Sequence, residues 1–364
     1  MIVDIQTASP PFKVLQSKAS EELKKRMAGK PVISRLIEMA SFQSGIDSRY
    51  VVIPDGDQNI VKKFYSVDGN YISPDTQTRM IEYEKWSKKL VSEAVKKIFE
   101  KNNFSPKNIE RLITISCTGF FAPGLDYYLI EEFGIPANVK RANIGFMGCA
   151  ASLIGFNSVL DAMNSGKESE LNTLLVSVEI CSLHLQTEPT RDNILSNMIF
   201  SDGAAAALFS NSKKENLKTK FELIYTDSFL FKNSVEFMGW KIGNFGFEMI
   251  LSSELPKIIF KHAVPRIKAT LEEKKIQPKN IKHWALHPGG RAILDSLQKG
   301  LGLRDEEMLP SRNILRNFGN MSSASILFVL KEIMQNSKIQ KDDLCCAVAF
   351  GPGLTMETAI LKGI

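Results

Sequence analysis

Apolar residues recur along the chain in two rhythms. Between Thr78 and Asn102 they return every three or four positions with Lys and Glu between them, which predicts one long amphipathic helix. Ser20 to Ser44 also has a helical pattern, interrupted at Gly29-Lys30-Pro31. Leu125 to Phe133 predicts a short helix closed by Gly134. Apolar runs of strand length occur at Ile109 to Ser116, Leu171 to Val178, Ala204 to Phe209, Phe221 to Phe229, Ile281 to Leu286 and Leu344 to Phe350. Leu153 to Met163, Ala292 to Leu301 and Met321 to Met334 are expected to be helices, and Gly246 to Ile267 mostly helix. Alternating strands and helices predict an α/β fold on a mainly parallel sheet covered on both faces.

The pattern repeats. Gly148-Cys149 opens a segment ending in Val159-Leu160-Asp161-Ala162-Met163, and Gly319-Asn320 opens one ending in Leu330-Lys331-Glu332-Ile333-Met334. Both ends lie 171 positions apart. The strand-end residues Cys117 and His287 lie 170 apart. Two similar halves, 1–215 and 216–364, would meet near the polar run Asn211-Ser212-Lys213-Lys214-Glu215-Asn216. Such a design would bring Cys149 and Asn320 to facing helix ends. Chance likeness of two strand–helix units is the alternative.

Composition narrows the class. With 364 residues, 44% of them apolar and 24% charged, the chain fits one large globular domain or two ordinary ones. The net charge of +6 comes without a basic block interleaved with aromatics, which argues against nucleic acid. No stretch reaches the roughly 18 apolar residues of a membrane span, and Met1 to Pro11 lacks a signal-peptide pattern. The five cysteines (Cys117, Cys149, Cys181, Cys345, Cys346) are odd in number and lack C-x-x-C spacing. They read as free thiols of a reducing, cytoplasmic compartment rather than disulfides or a metal site.

Three turns carry candidate chemistry. In Asn143-Ile144-Gly145-Phe146-Met147-Gly148-Cys149-Ala150-Ala151-Ser152 a strand meets a glycine turn, a thiol, and small residues that open a helix. A sulfur at a helix N-terminus is expected to favour the thiolate and act as a nucleophile; a buried inert cysteine is the plainer alternative. In Leu286-His287-Pro288-Gly289-Gly290 an imidazole could accept the thiol proton or donate to an oxyanion, or could simply be a core histidine. Phe318-Gly319-Asn320-Met321-Ser322-Ser323 reads as a third strand-to-helix turn, whose Asn320 is an amide donor or only an N-cap. Gly351-Pro352-Gly353 is a hairpin turn or a backbone loop shaping a pocket floor. His184 could line a pocket or sit in a core. His262 and His283 neighbour lysines and read as surface residues.

Taken together, Gly148-Cys149-Ala150-Ala151-Ser152, His287-Pro288-Gly289-Gly290, Gly319-Asn320-Met321-Ser322-Ser323 and Gly351-Pro352-Gly353-Leu354-Thr355-Met356-Glu357-Thr358 strongly resemble the chalcone-synthase-like type III polyketide synthases. The likeness runs from about Leu112 to the C-terminus and is looser before it, where Ser44-Gly45-Ile46-Asp47-Ser48-Arg49-Tyr50 still fits. It implies a five-layered αβαβα thiolase-like fold of two similar halves, a homodimer, coenzyme A thioester substrates, and no metal or further cofactor. By position, Cys149 would carry the starter acyl group. His287 and Asn320 would hold the malonyl thioester carbonyl and stabilise the enolate left by decarboxylation. Phe200 matches a gatekeeper aromatic. Phe247 lies close to a second one, for which a gapless match on Leu255-Pro256 points instead to Met249. Thr118, Ser322, Gly351, Pro352 and Gly353 would line the substrate site.

The departures are informative. Plant members carry threonines where this chain has Cys117, Cys181 and His184, and a methionine at Ala122. Val178-Glu179-Ile180-Cys181-Ser182-Leu183-His184-Leu185-Gln186 resembles bacterial members that take long fatty acyl starters and release alkylpyrones or alkylresorcinols. No CoA-phosphate residue is matched around Asp47-Ser48-Arg49. The expected function is iterative decarboxylative condensation of malonyl-CoA onto an acyl-CoA starter, followed by ring closure. A single-round β-ketoacyl carrier-protein synthase is the nearest rival. A non-catalytic acyl-binding partner on the same fold is another, and it would leave Cys149 resistant to iodoacetamide at neutral pH.

Overall fold

A computed structural model describes residues 1–27, 31–53, 55, 64–67, 70–165, 170–212 and 220–364. In chain order the first half holds β1 (Ile2–Ala8), β2 (Phe12–Leu15), α1 (Gln16–Arg26), α2 (Pro31–Gln43), β3 (Ser48–Val51), β4 (Ser66–Val67), β5 (Asn70–Tyr71), α3 (Thr76–Asn102), β6 (Arg111–Ser116), α4 (Leu125–Phe133), β7 (Lys140–Gly145), α5 (Ala151–Asn164), β8 (Asn172–Ile180), α6 (Arg191–Ile199) and β9 (Asp202–Ser210). The second holds β10 (Phe221–Leu230), β11 (Met238–Gly243), β12 (Gly246–Leu251), α7 (Leu255–Ile258), α8 (Val264–Glu273), β13 (Ile281–Leu286), α9 (Arg291–Leu301), α10 (Asp305–Phe318), α11 (Ser325–Asn336), β14 (Leu344–Gly351) and β15 (Thr355–Gly363).

Local signals set several of these boundaries. The Asp75 carboxylate accepts from the Thr78 N–H at 2.8 Å and starts α3, and Asn103 ends it in the left-handed region. Gly134, at φ +64°, closes α4 where the sequence predicts. Gly246 to Leu251 is a correction: it is a strand paired with β11, and helix begins only at Leu255-Pro256. Pro256 fits the first turn of a helix, where its missing N–H costs nothing, and marks the true start.

One nine-stranded sheet runs in the order β13-β14-β15-β10-β1-β9-β8-β6-β7. Among the described residues its two halves are joined through the pair Ile2↔Phe221. The expectation of a mainly parallel sheet is corrected as well. Only β13–β14, β8–β6 and β6–β7 are parallel, and the other five neighbours run antiparallel. The reason is connectivity. The β14–β15 hairpin, closed at Gly351↔Thr355, has no crossover helix, so its strands must run in opposite directions.

The layers follow from three apolar cores. α5 and α11 lie in the middle, their Leu153, Phe156 and Val159 and their Ile326, Val329 and Leu330 packed with inward residues of both half-sheets. α3 and α4 cover the outer face of β6, β8, β9 and β1, and α8, α9 and α10 cover that of β13, β14 and β15. Helix, sheet, helix pair, sheet, helix make five layers. Each fully buried Leu, Ile or Phe contributes about 1.5–3 kcal/mol, and the central pair is buried from both sides.

The internal repeat is visible in the elements. The short 3₁₀ turns Pro106–Asn108 and Pro278–Asn280 share the sequence Pro-Lys-Asn and each leads into a strand. β6 and β13 begin 170 residues apart, β8 and β14 172, but α5 and α11 174, so the Asn320 turn carries extra residues relative to the Cys149 turn. From Lys213 on, the polar run between the halves lies outside the described residues, as do Gly29 and Lys30.

Candidate active site

Cys149 sits in a single 3₁₀ turn, Gly148–Ala150, which leads directly into α5. Gly148 is held at φ +61°, and a Cβ there would lie 2.3 Å from Pro352 Cδ. Only glycine fits. Gly351 is equally confined, with a would-be Cβ 2.7 Å from the Met147 carbonyl. Gly351-Pro352-Gly353 is therefore both the β14–β15 turn and the backing of the cysteine turn. Beneath it, the Cys117 sulfur accepts from the Gly148 N–H at 3.0 Å.

The Cys149 thiol is 7% exposed and lies 3.6 Å from Ser322 Oγ. Burial pushes its pKa up to about 12. The hydrogen bonds from Ser322 and Asn320 pull it down, while Glu179 pushes it up. The expected thiolate at a helix end is thus corrected: desolvation of the buried sulfur is the dominant influence and favours the neutral thiol. The resting group is a neutral thiol.

Asn320 follows α10, so the expected strand-to-helix turn is a helix-to-helix turn. Its backbone forms a parallel bridge with Phe200, with Asn320 N–H donating to Ile199 O at 3.0 Å and Ser201 N–H to Asn320 O at 2.9 Å. Its Oδ1 accepts from the Ser322 N–H at 2.9 Å and the Ser325 hydroxyl at 3.4 Å. A backbone N–H can only donate, so this fixes which amide atom is oxygen. The oxygen does the work of a cap. The nitrogen is left to donate to Gly289 O, a long contact at 3.4 Å, and toward the Cys149 sulfur.

His287 follows β13, its N–H donating to Val348 O at 2.9 Å. Among the described residues both ring nitrogens, buried, have no hydrogen-bond partner. Burial lowers its pKa to about 3, so the ring is neutral. A Cβ on Gly289 would sit 3.6 Å from His287 Nε2, so this residue touches the imidazole and also accepts from Asn320. Cys149, Ser322, Asn320, Gly289 and His287 thus lie side by side, drawn from parts of the sequence up to 173 residues apart.

A cavity of about 710 Å³ lies beside these residues, lined by α1, β2 and α6 and by Cys181, His184, Phe200, Phe247 and Met249. Phe247 stacks on His184 at 4.2 Å and meets Phe146, three residues before Cys149, at 5.5 Å. Phe200, bridged to Asn320, and Phe247, against Phe146, thus both line the cavity and adjoin the turns that carry Asn320 and Cys149. Both Phe247 and Met249 reach the cavity wall. Cys117 and Thr118 do not: the Thr118 hydroxyl donates to Glu179 at 2.8 Å and accepts from Ile180 N–H at 2.8 Å. Ala122 is exposed at the surface, outside the cavity wall.

Two family models match the chain: the type III polyketide synthase-like protein model over residues 63–227, and the C-terminal domain of chalcone and stilbene synthases over 222–364. A Bacillus subtilis protein bearing the chalcone synthase name is 30% identical over 99% of this chain and 98% of its own length. The chain belongs to the type III polyketide synthase family. A solved structure of PKS-I from the brown alga Ectocarpus siliculosus superposes with a TM-score of 0.91, at 28% identity, over 100% of this chain and 98% of that one. The α-pyrone synthesis polyketide synthase-like Pks18 of Mycobacterium tuberculosis is 30% identical over 68% of this chain and 63% of its own length. This polyketide synthase is accordingly an acyltransferase that condenses acyl-CoA with malonyl-CoA, and its family needs no cofactor beyond the coenzyme A thioesters.

Sequence reasoning passed over Glu179, which organises the polyketide synthase site from below. It is fully buried in β8 and accepts from Cys117 N–H at 3.0 Å, from Thr118, and from the Ser323 hydroxyl. Burial raises its pKa. Ser323 also meets Ser177 at 2.8 Å and, through its carbonyl, the Ser152 hydroxyl at 2.6 Å, tying the two half-turns together. The available signal was a carboxylate inside an otherwise apolar strand, a position acids rarely occupy without partners. Arg49 was also unassigned. It is buried and donates to the carbonyls of Asn197 and Phe200 at 2.6 and 2.7 Å, which seats the Phe200 turn.

Proposed function

We propose that this enzyme extends a long-chain acyl-CoA on Cys149 by iterative decarboxylative condensation with malonyl-CoA, and closes the product to an alkylpyrone or resorcinol. His287 accepts the thiol proton as Cys149 attacks the acyl-CoA carbonyl, and returns it to the departing coenzyme A sulfur. Malonyl-CoA then loses CO₂. The electron pair left behind is held on its thioester oxygen by a His287 ring N–H and the Asn320 Nδ2–H, each donor worth about 3–4 kcal/mol. The α-carbon attacks the acyl thioester, its bond to the Cys149 sulfur breaks, the extended chain leaves as its coenzyme A thioester, and the Cys149 thiolate takes one proton from solvent.

One observation carries these roles. Asn320 spends its oxygen on Ser322 and Ser325 and aims its nitrogen at Gly289 O, a long 3.4 Å contact, and at the Cys149 sulfur, near a histidine whose ring nitrogens are buried without a partner among the described residues. A buried polar group left unmade costs about 1–3 kcal/mol, a cost the fold bears where a ligand is to supply the partner. The long starter is supported by the cavity that Phe200 and Phe247 line, with Phe12, Val14, Leu23 and Met198 in its wall, and by the α-pyrone wording in the name of Pks18.

We further propose a cytoplasmic homodimer. Among the described residues no helix is long and apolar enough to cross a membrane. The deciding experiment offers acyl-CoAs from two to eighteen carbons with labelled malonyl-CoA and identifies products by mass spectrometry. Labelled alkylpyrones or resorcinols, best from long starters, are expected. Release after a single condensation, or a requirement for malonyl carrier protein, would favour the ketoacyl synthase rival. Binding without turnover would favour the silent partner. Slow alkylation of Cys149 no longer separates that last case, because a buried thiol predicts it for an active enzyme too.

A further inference from the structure

We infer that the outward face of α2 is a docking surface for an anionic lipid bilayer. The helix PVISRLIEMASFQ is rich in apolar residues, yet only Ile37 is fully buried. Its inner side, Ile33, Ile37 and Ala40, packs with Leu23, Met27, Ile194 and Met198. At 100° per residue, Val32, Leu36, Met39 and Phe42 fall on the other side, and they are 68%, 40%, 47% and 85% exposed. Leu15, exposed at the end of β2, borders the same open cleft as Phe42. A contiguous exposed apolar face of this kind is rare on a surface without a partner.

Charge selects the occupant. Among the described residues from Lys13 to Gln43 there are six Lys/Arg against three Glu, and all six but Arg26, which is buried on Glu22 and Asp55, reach the surface. Arg35 lies on the exposed side of α2 itself. α1 packs beside α2, the two joined by the Lys24–Glu38 ion pair at 2.5 Å, and adds exposed Lys18 and Lys25. Apolar side chains flanked by cations describe a helix lying in a lipid headgroup region, where each cation near an anionic surface strengthens binding and the apolar face is buried a few ångströms deep.

The place of this surface gives it a use. Lys13, Leu15, Lys18 and Lys25 also line the 710 Å³ cavity, so a bilayer resting on α2 lies next to its mouth. A long-chain acyl-CoA, whose tail partitions into membranes, would reach the cavity without crossing water. That use rests on the proposed long-chain starter; the docking itself does not.

The test is co-sedimentation of the full chain with vesicles of phosphatidylglycerol and phosphatidylcholine, at low and at physiological salt. Binding to the anionic vesicles at least tenfold above pure phosphatidylcholine is expected. The variant Met39→Asp/Phe42→Asp should lose at least tenfold, while Ile81→Asp, at a 63% exposed site on α3, should not. Turnover of a short, soluble acyl-CoA reports that the double variant is folded. The inference is overturned if the wild type ignores anionic vesicles, if the double variant binds them equally, or if the double substitution instead changes the oligomeric state measured by light scattering, which would make α2 a contact between copies. Vesicle binding without condensing activity would sink the functional proposal and leave the docking intact; activity without vesicle binding would do the reverse.

Discussion

Replacing Asn320 by Asp separates the two jobs of one side chain. The carboxylate keeps an oxygen for the Ser322 N–H at 2.9 Å and the Ser325 hydroxyl, so the turn should hold. The nitrogen donor disappears, and with it the 3.4 Å contact to Gly289 O. That contact is long, and its loss costs at most about 1 kcal/mol of stability. The loss in the transition state is larger. One oxyanion donor is worth about 3–4 kcal/mol, or roughly a 10²–10³-fold fall in malonyl-CoA decarboxylation at about 1.4 kcal/mol per decade. A negative charge beside the forming enolate adds to the deficit. The assay measures CO₂ release from carboxyl-labelled malonyl-CoA alongside acylation of Cys149 by intact mass. Decarboxylation should collapse while acylation falls far less. Decarboxylation within tenfold of wild type in a folded variant would refute the donor assignment, as would equal losses in both steps.

Other outcomes follow from the same geometry. Because burial holds the Cys149 thiol near 12, its alkylation by iodoacetamide in the free enzyme should be slower than that of free cysteine at pH 7.5 and should climb to pH 9.5 without a plateau; a plateau below pH 7 would mean a stabilised thiolate. Gly148→Ala meets both a left-handed φ and Pro352, so a loss of about 2–4 kcal/mol is expected in denaturant unfolding, and an unchanged midpoint would show the turn can relax. Glu357, with Ser228 as its hydroxyl donor, has its pKa raised by burial to about 7, so the folded state holds a proton the unfolded chain releases. Its contribution is fully present below about pH 4.5 and fades as pH rises through 7, a loss of about 2 kcal/mol after allowing for partial solvent screening. Glu357→Gln should remove that slope in urea titrations at pH 5 and 8; an unaltered slope would place the titrating group elsewhere.

Much of this architecture was legible before any coordinates. Gly134 closes α4, and the Cys149 and Asn320 segments match across the repeat, because end signals and apolar spacing are local properties. The strand Gly246–Leu251 was hidden because its apolar run adjoins a true helix without a break until Pro256. Strand direction was hidden because it depends on which connections contain helices, and β14 returns to β15 through a tight turn. The Cys149 thiol meets Ser322, two residues beyond Asn320, a long-range proximity that only the repeat and the family likeness could suggest from sequence. The protonation of Cys149 was not legible there: a helix N-terminus is visible in sequence, whereas the desolvation that favours the neutral thiol exists only after folding. Glu179 was visible as a charge in an apolar strand, but its three partners come from two distant segments, Cys117-Thr118 and Ser323.

The most direct measurement traps the covalent intermediate. Enzyme incubated with a long-chain acyl-CoA alone, then digested and mapped by mass spectrometry, should carry the acyl mass on the peptide containing Cys149, and adding labelled malonyl-CoA should convert it to labelled polyketide. If the acyl group instead appears on another residue, or a Cys149→Ala enzyme still releases labelled product, the thiol is not the nucleophile and the mechanism proposed here is wrong.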